Sequence, residues 1–183
     1  TSNSEGNIGD GAEAVSLAKF TTAQLDASLS WSDLEQFRAQ WDGPIVIKGI
    51  QCVEDAQIAA DLGVNGLALS NHGGRQLEGS PAPVALLPHV ADAIGDRVEL
   101  ICDGGIRRGS DIVKAVALGA TAAMGGRAYL YGLGAAGERG VDTAIGFLRA
   151  EYERCLALNG ITSTADIHSG MVTPAGGRVA TLT

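Results

Sequence analysis

Cysteine is scarce: the 183 residues hold three, Cys52, Cys102 and Cys155, with no CxxC or metal-ligand spacing among them. An odd count builds no closed disulfide framework and suits a reduced interior, so all three are read as packing residues and no metal site is expected. Basic residues are few as well. Thirteen Lys and Arg stand against 21 Asp and Glu, a net charge of -8, and the cations are nowhere clustered. Phosphate backbones are held by clustered Lys and Arg, so broad nucleic-acid binding is excluded, and the acidity serves solubility. No apolar run reaches the roughly eighteen residues of a membrane span, and no secretory-signal pattern opens the sequence.

What is present is a globular composition, 45% hydrophobic and 19% charged. Residues 1–11 are polar and Gly-rich without periodicity, and a mobile segment is expected over 1–28, ahead of one domain over 29–183. Leu34, Phe37 and Trp41 stand at helical spacing, which predicts a short amphipathic helix over 32–41 with Ser30 or Ser32 as its cap. Asp42-Gly43-Pro44 breaks it, and the β-branched run Ile45-Val46-Ile47 reads as a strand buried on both faces of a parallel sheet, ended by Lys48. A helix over 53–62 closing at Gly63 and a strand over 66–69 complete a β-α-β unit. Helix 84–94, strand 98–102, helix 111–118 and strand 121–124 follow, the last three forming a second unit.

The two units repeat. Ala60-Asp61-Leu62-Gly63-Val64 corresponds to Val116-Ala117-Leu118-Gly119-Ala120, 56 residues on. Repeated right-handed β-α-β units imply a parallel sheet with outer helices. Four strands make half of an eight-stranded barrel or one wing of a doubly wound sheet. Lys48, His72, Asp103 and Gly126-Arg127 are each expected just past the end of a successive strand. In a barrel those ends share one rim, whereas a doubly wound sheet gathers its ligand at one switch point. The barrel is favoured.

Two stretches carry chemistry. In Ser70-Asn71-His72-Gly73-Gly74-Arg75-Gln76, two glycines free the backbone for a tight turn, so an imidazole and a guanidinium can face one small ligand. A hydroxy acid suits the pair, with the imidazole on its hydroxyl and the planar guanidinium fork on its carboxylate. Asp103-Gly104-Gly105-Ile106-Arg107-Arg108-Gly109 and Gly125-Gly126-Arg127 are Gly-rich loops at consecutive strand ends, each bearing Arg. Both can aim backbone N–H groups and a cation at one phosphate, helped by a helix N-terminus. Their spacing is neither GxGxxG nor a P-loop, which points to a cofactor with a single phosphate.

Together with Ile47-Lys48-Gly49, these stretches resemble the FMN-dependent 2-hydroxy acid oxidising enzymes: glycolate and lactate oxidases, mandelate dehydrogenases and respiratory L-lactate dehydrogenases. The likeness runs from about Leu29 to about Met171, and Asp42-Gly43-Pro44 and Arg127-Ala128-Tyr129-Leu130-Tyr131-Gly132-Leu133 look most like the lactate dehydrogenase branch. The resemblance implies an α/β fold, the C-terminal half of a TIM (β/α)8 barrel, with four parallel strands and outer helices. It implies FMN as cofactor and oxidation of an L-2-hydroxy acid, L-lactate first, with mandelate or glycolate as alternatives. Lys48 would sit by the flavin N1 and C2 carbonyl, where a cation stabilises the reduced ring. His72 would be the base, taking either the hydroxyl or the Cα proton, and Arg75 would bind the substrate carboxylate. Ser70 would contact the flavin, while Asp103, Gly104, Gly105, Arg107, Gly126 and Arg127 would hold the ribityl chain and phosphate. His89 and His168 are read as surface or helix residues.

The resemblance also implies partners: an N-terminal half of the same enzyme, as a separate chain or lost, and an electron acceptor that is a quinone, a cytochrome or oxygen. A homo-tetramer is expected, in the cytoplasm or peripheral on the inner membrane. Gly125 departs from the family, which carries a bulkier residue there. Two rival readings differ in kind: a non-catalytic phosphate-binding half-barrel, against which the retention of Lys48, His72 and Arg75 counts, and an isomerase or aldolase using Lys48 for a Schiff base.

Overall fold

The computed structural model describes residues 26–173; most of the segment expected to be mobile lies outside them. The described residues fall into two units, 26–40 and 41–173. In the first, α1 (Trp31–Gln40) begins one residue before its expected place. Ser30 is its cap: both the Ser30 N–H and hydroxyl donate to the Asp33 carboxylate, at 2.7 and 2.8 Å. An acid in the first turn also meets the positive end of the helix dipole.

The second unit is built of β1 (Val46–Ile50), α2 (Val53–Asp61), β2 (Gly66–Ser70), α3 (Pro83–Ile94), β3 (Glu99–Asp103), α4 (Gly109–Ala117), β4 (Ala122–Met124) and α5 (Arg127–Leu158). A 3-10 turn over His72–Gly74 follows β2. All three strand pairings are parallel, and the strands lie in chain order β1-β2-β3-β4. The 56-residue repeat has a structural counterpart. α2 ends at Asp61 and α4 at Ala117, each capped by a leucine and followed by a glycine.

Side chains alternate across the sheet. Leu67, Leu69, Leu100 and Cys102 point to the helix-covered face, are essentially inaccessible, and form the core with Leu87, Val90 and Ile94 of α3 and Val113 of α4. Burial and the neighbouring Asp103 carboxylate push the Cys102 thiol up to about 11, so it is inert packing. Cys52 does more than pack: its Sγ accepts from the Asp55 N–H at 3.4 Å and caps α2. The opposite, concave face carries Val46, Lys48, Glu99, Ile101, Asp103 and Met124, and its edge strands are open, with Val46 53% and Met124 42% exposed. In a doubly wound sheet helices would cover that face too; among the described residues none does.

Two expectations need correction. Lys48 does not end β1 but is its middle residue, because the chain bulges after it at Gly49 and pairing resumes at Ile50. Asp103 likewise closes β3 from within, paired with Ser70 on one side and Met124 on the other. α5 is long because it holds two helical stretches joined at Ala136 and Gly137, whose backbone angles are non-helical. The glycines at 132, 134 and 137 have dinucleotide-fingerprint spacing but lie within this helix; a Cβ on Gly132 would collide with the Gly140 carbonyl, whereas one on Gly134 or Gly137 would meet no atom within 4 Å. Among the described residues no helix is long and apolar enough to cross a membrane.

Gly109 marks where α4 meets α5, since a Cβ there would land on the backbone of Tyr152 and Leu148. Gly109→Ala is therefore expected to lower the unfolding free energy by about 1–3 kcal/mol, as overpacking does. The check is a urea titration with a lowered midpoint and unchanged slope. An unshifted midpoint would contradict this packing.

Candidate active site

Three adjacent strands contribute to one polar cluster. Lys48 Nζ on β1 lies 2.8 Å from Asp103 Oδ2 on β3. Between them, on β2, stands Ser70, only 1% exposed. Its hydroxyl donates to Asp103 Oδ2 at 2.7 Å and accepts from Lys48 Nζ at 2.9 Å and from the His72 N–H at 3.0 Å. One donor and two lone pairs are all a serine hydroxyl has, so Ser70 is fully used within the chain. It lies behind Lys48 and Asp103, not on the wall of the cavity described below, although the sequence set it against the cofactor.

Burial raises the Asp103 carboxyl, but hydrogen bonds from Lys48 and Ser70, and the positive charges of Lys48 and His72, outweigh it and hold it below its ordinary value. Lys48 is thereby engaged as an ammonium ion, which counts against a Schiff-base role. The cluster is a small network in which removing one member leaves the others short of partners.

His72 follows in a left-handed conformation, φ 54°, the one non-glycine residue so placed among the described residues. Such strain at a single residue is held by its surroundings and gathers at functional positions. Asn71, which the sequence reading passed over, shapes the turn. Its side-chain oxygen accepts from the Gly73 N–H at 3.1 Å, its carbonyl from the Gly74 N–H at 2.9 Å, and its amide reaches the Pro81 carbonyl at 3.4 Å. Asn before His-Gly-Gly is a legible signal of this kind, since Asn side chains bond to backbone two residues on. The imidazole lies over the β1 bulge: a Cβ on Gly49, whose φ is +104°, would come within 3.1 Å of His72 Cε1.

These groups open on a cavity of about 870 Å³, within the range of small-molecule and cofactor sites. Lys48, His72, Arg75, Asp103 and Arg107 line it, with Gly104, Gly105, Gly126 and Arg127. Every residue expected at the site other than Ser70 therefore lines this cavity. Ile106, Met124, Gly125 and the run Ala128 to Tyr131 complete it, an apolar side the sequence reading did not assign. Arg75 is exposed, and among the described residues its guanidinium has no ion-pair partner.

The Arg pair divides its work. Arg107 faces the cavity, whereas Arg108 turns to Glu151 on α5, at 3.2 Å. Glu151 also accepts from the Gly109 N–H at 3.0 Å, and Asp111 accepts from the N–H groups of Arg107 and Arg108, both at 3.1 Å. The N-terminus of α4 is therefore closed by carboxylates. The N-terminus of α5 borders the cavity, and its cap, Gly126, has no side chain to close it. At Gly105 and Gly126 a Cβ would meet no atom within 4 Å, so backbone there borders open space that a ligand can fill. Two cavity-facing arginines, an open helix N-terminus and bare glycine backbone fit a phosphate monoester. Lys48 beside an apolar wall fits a ring system that gains negative charge.

Comparison with known proteins agrees with this geometry. The profile of a family described as FMN-dependent dehydrogenase matches residues 2–174. The chain is 51% identical over 138 residues to pre-mycofactocin synthase of Mycolicibacterium smegmatis, covering 75% of this chain and 35% of that protein. It is 47% identical over 146 residues to L-lactate dehydrogenase of Caulobacter vibrioides, covering 80% and 38%. Mandelate oxidase superposes with a TM-score of 0.79 at 40% identity, over 84% of this chain and 45% of that one, and a flavocytochrome b2 variant with pyruvate bound superposes at 0.76 and 40%, over 85% and 42%. These neighbours are TIM barrels, and the four parallel strands match part of one. The chain spans 35–45% of the length of these proteins.

The Asp103 cluster sets an acid limit on stability. The carboxyl is depressed in the folded chain, so unfolding raises its affinity for protons. Its stabilisation is complete above the ordinary carboxylate value of 3.8 and is lost as pH falls through and below it. Urea unfolding of the parent chain and Asp103→Asn at several pH values should show the parent more stable at neutral pH, with the gap narrowing in acid. A gap independent of pH would contradict the ion pair.

Proposed function

The chain belongs to the FMN-dependent dehydrogenase family, and from that premise we propose that it forms the cofactor-phosphate and substrate-carboxylate side of an enzyme oxidising an L-2-hydroxy acid, L-lactate first, to its 2-oxo acid. The observation that carries the reading is the single cavity joining His72 and Arg75 to the two Gly-Arg loops, with Lys48 beside them. FMN, when bound, supplies the two-electron acceptor. Arg107, Arg127, the bare backbone at Gly105 and Gly126 and the N-terminal end of α5 would hold its phosphate and ribityl chain, with Asp103 and Gly104 alongside. Lys48 would face its ring system, while Ser70 serves it indirectly by fixing Lys48.

Two further roles fall to side chains of this chain. Arg75 binds the carboxylate with a two-point fork and so orients the hydroxyl toward His72. Conversion of hydroxy acid to oxo acid releases two electrons and two protons; the His72 imidazole takes one proton, and the other would go with the electron pair to the flavin. It must start neutral, so activity falls as acidification protonates it. The remaining strands of the barrel would come from an N-terminal half of the same enzyme, in a homo-tetramer, with a quinone, cytochrome or oxygen as the final acceptor. A cytoplasmic site, or peripheral attachment to the inner membrane, belongs to the same proposal.

A second reading rests on one number, the 51% identity to pre-mycofactocin synthase against 47% to the L-lactate dehydrogenase. In that reading the same base and cofactor shell act on the substrate of that relative, and mandelate and glycolate remain alternatives within the first. The test is kinetic, on the assembled enzyme with L-lactate, mandelate and glycolate. Arg75→Lys should raise KM about 10-fold to 100-fold, because a point cation replaces a fork. His72→Gln should lower kcat by about 100-fold or more and leave the flavin absorbance in place. Flavin binding without turnover of any of the three acids favours the second reading. Full turnover by His72→Gln rules out the assigned base.

A further inference from the structure

The guanidinium of Arg127 faces the His72 loop. Nη2 donates to the Gly73 carbonyl at 3.1 Å, and a Cβ on Gly73, whose φ is +70°, would sit 3.1 Å from the same nitrogen. Gly73 directly follows His72, whose left-handed backbone persists only if its neighbours over-determine it. Three ties do so from the start of the loop itself: the His72 N–H to Ser70, the Gly73 N–H to the Asn71 side chain, and the Gly74 N–H to the Asn71 carbonyl. Among the described residues, the tie from Arg127 is the one that reaches residues 72–74 from outside residues 70–74, 54 residues further along the chain. The exposed stretch after Gly74, with Arg75 in it, has no comparable anchor before Ser80, whose hydroxyl donates to the Leu77 carbonyl.

We propose that Arg127 is a positioning residue for His72, holding the Gly73 carbonyl and so fixing the turn that lays the imidazole over Gly49. An arginine has five N–H donors in a rigid plane. One is engaged on Gly73, and the others remain for an oxyanion at the phosphate end of the cavity. One guanidinium therefore links the two ends: an anion that pins Arg127 also tightens the segment carrying His72 and Arg75. Cofactor loading and alignment of the base become a single event within this chain. The importance of His72 rests on the function proposed above, whereas the tether itself is testable without cofactor.

The experiment is amide hydrogen exchange and histidine ring NMR on the full 183-residue chain, first free and then with saturating inorganic phosphate. In the free Arg127→Gln variant, exchange at Gly73 and Gly74 should quicken about tenfold, the effect of losing one charge-assisted hydrogen bond. The His72 ring signals should move while those of His89 and His168 stay, and amides of Leu100 to Cys102 in β3 should keep their protection. Arg127→Lys, which retains a cationic donor, should recover part of the protection. If Arg127→Gln loses protection in β3 as well, Arg127→Met, which keeps the apolar stem, is read in the same way. Parental exchange and unmoved His72 signals, with β3 protected, would overturn the proposal. Added phosphate should slow Gly73 and Gly74 further in the parent chain and leave them unchanged in Arg127→Gln. If it shifts no signal at Gly126 or Ala128 of the parent, the phosphate reading fails while the tether stands on the free-chain result.

Discussion

The Lys48–Asp103 ion pair, bridged by Ser70, is the constraint on which the rest of the site depends. It ties β1, β2 and β3 together at the level where the cavity begins. The pair is only partly withdrawn from water, so its Coulomb energy alone is modest. Its value lies in geometry: the serine hydroxyl that joins the two charges also receives the His72 N–H, so the carboxylate, the ammonium and the imidazole loop are positioned by one oxygen. Because Asp103 also begins the loop to Gly104 and Gly105, the same cluster sets where the first phosphate loop leaves the sheet.

The sheet around this cluster is asymmetric for a physical reason. Large aliphatic side chains fill the helix-covered face, and the opposite face carries Lys48, Glu99 and Asp103 beside Ile101 and the exposed Val46 and Met124. In relatives of known structure this arc is part of a closed barrel, and this chain spans 42–45% of them. A face with Lys48 and Asp103 at one end and apolar residues at the edges suits a barrel interior whose rim does chemistry.

Much of this was legible in the sequence because its signals are local. The β-branched run at 45–47 and the matching Leu-Gly helix ends of the repeat announce β-α-β units. The His-Gly-Gly-Arg and Gly-Gly-Ile-Arg stretches announce tight turns. Family membership and the four-stranded half-barrel followed as expected. What was not legible depends on contacts distant in sequence. The bulge that keeps Lys48 inside β1 is visible only once Ile50 is seen paired with Leu69. Whether Arg107 or Arg108 faces the cavity depends on Glu151, more than forty residues away in sequence. Ser70 could be picked out by position, but its saturation by Lys48, Asp103 and His72 could not. The choice of helix N-terminus likewise turned on tertiary partners: α4 was closed by carboxylates and α5 left open.

The central claim is that the two Gly-Arg loops of this chain recognise a flavin by its single phosphate. The direct measurement is a comparison of FMN and riboflavin binding to the full chain, followed by flavin fluorescence. The two ligands share the ring system and differ in the phosphate. Two arginines and an open helix end contacting that group predict that FMN binds about 100-fold more tightly than riboflavin, with the difference shrinking as salt is added. Equal affinity for the two, or preference for riboflavin, would contradict the account.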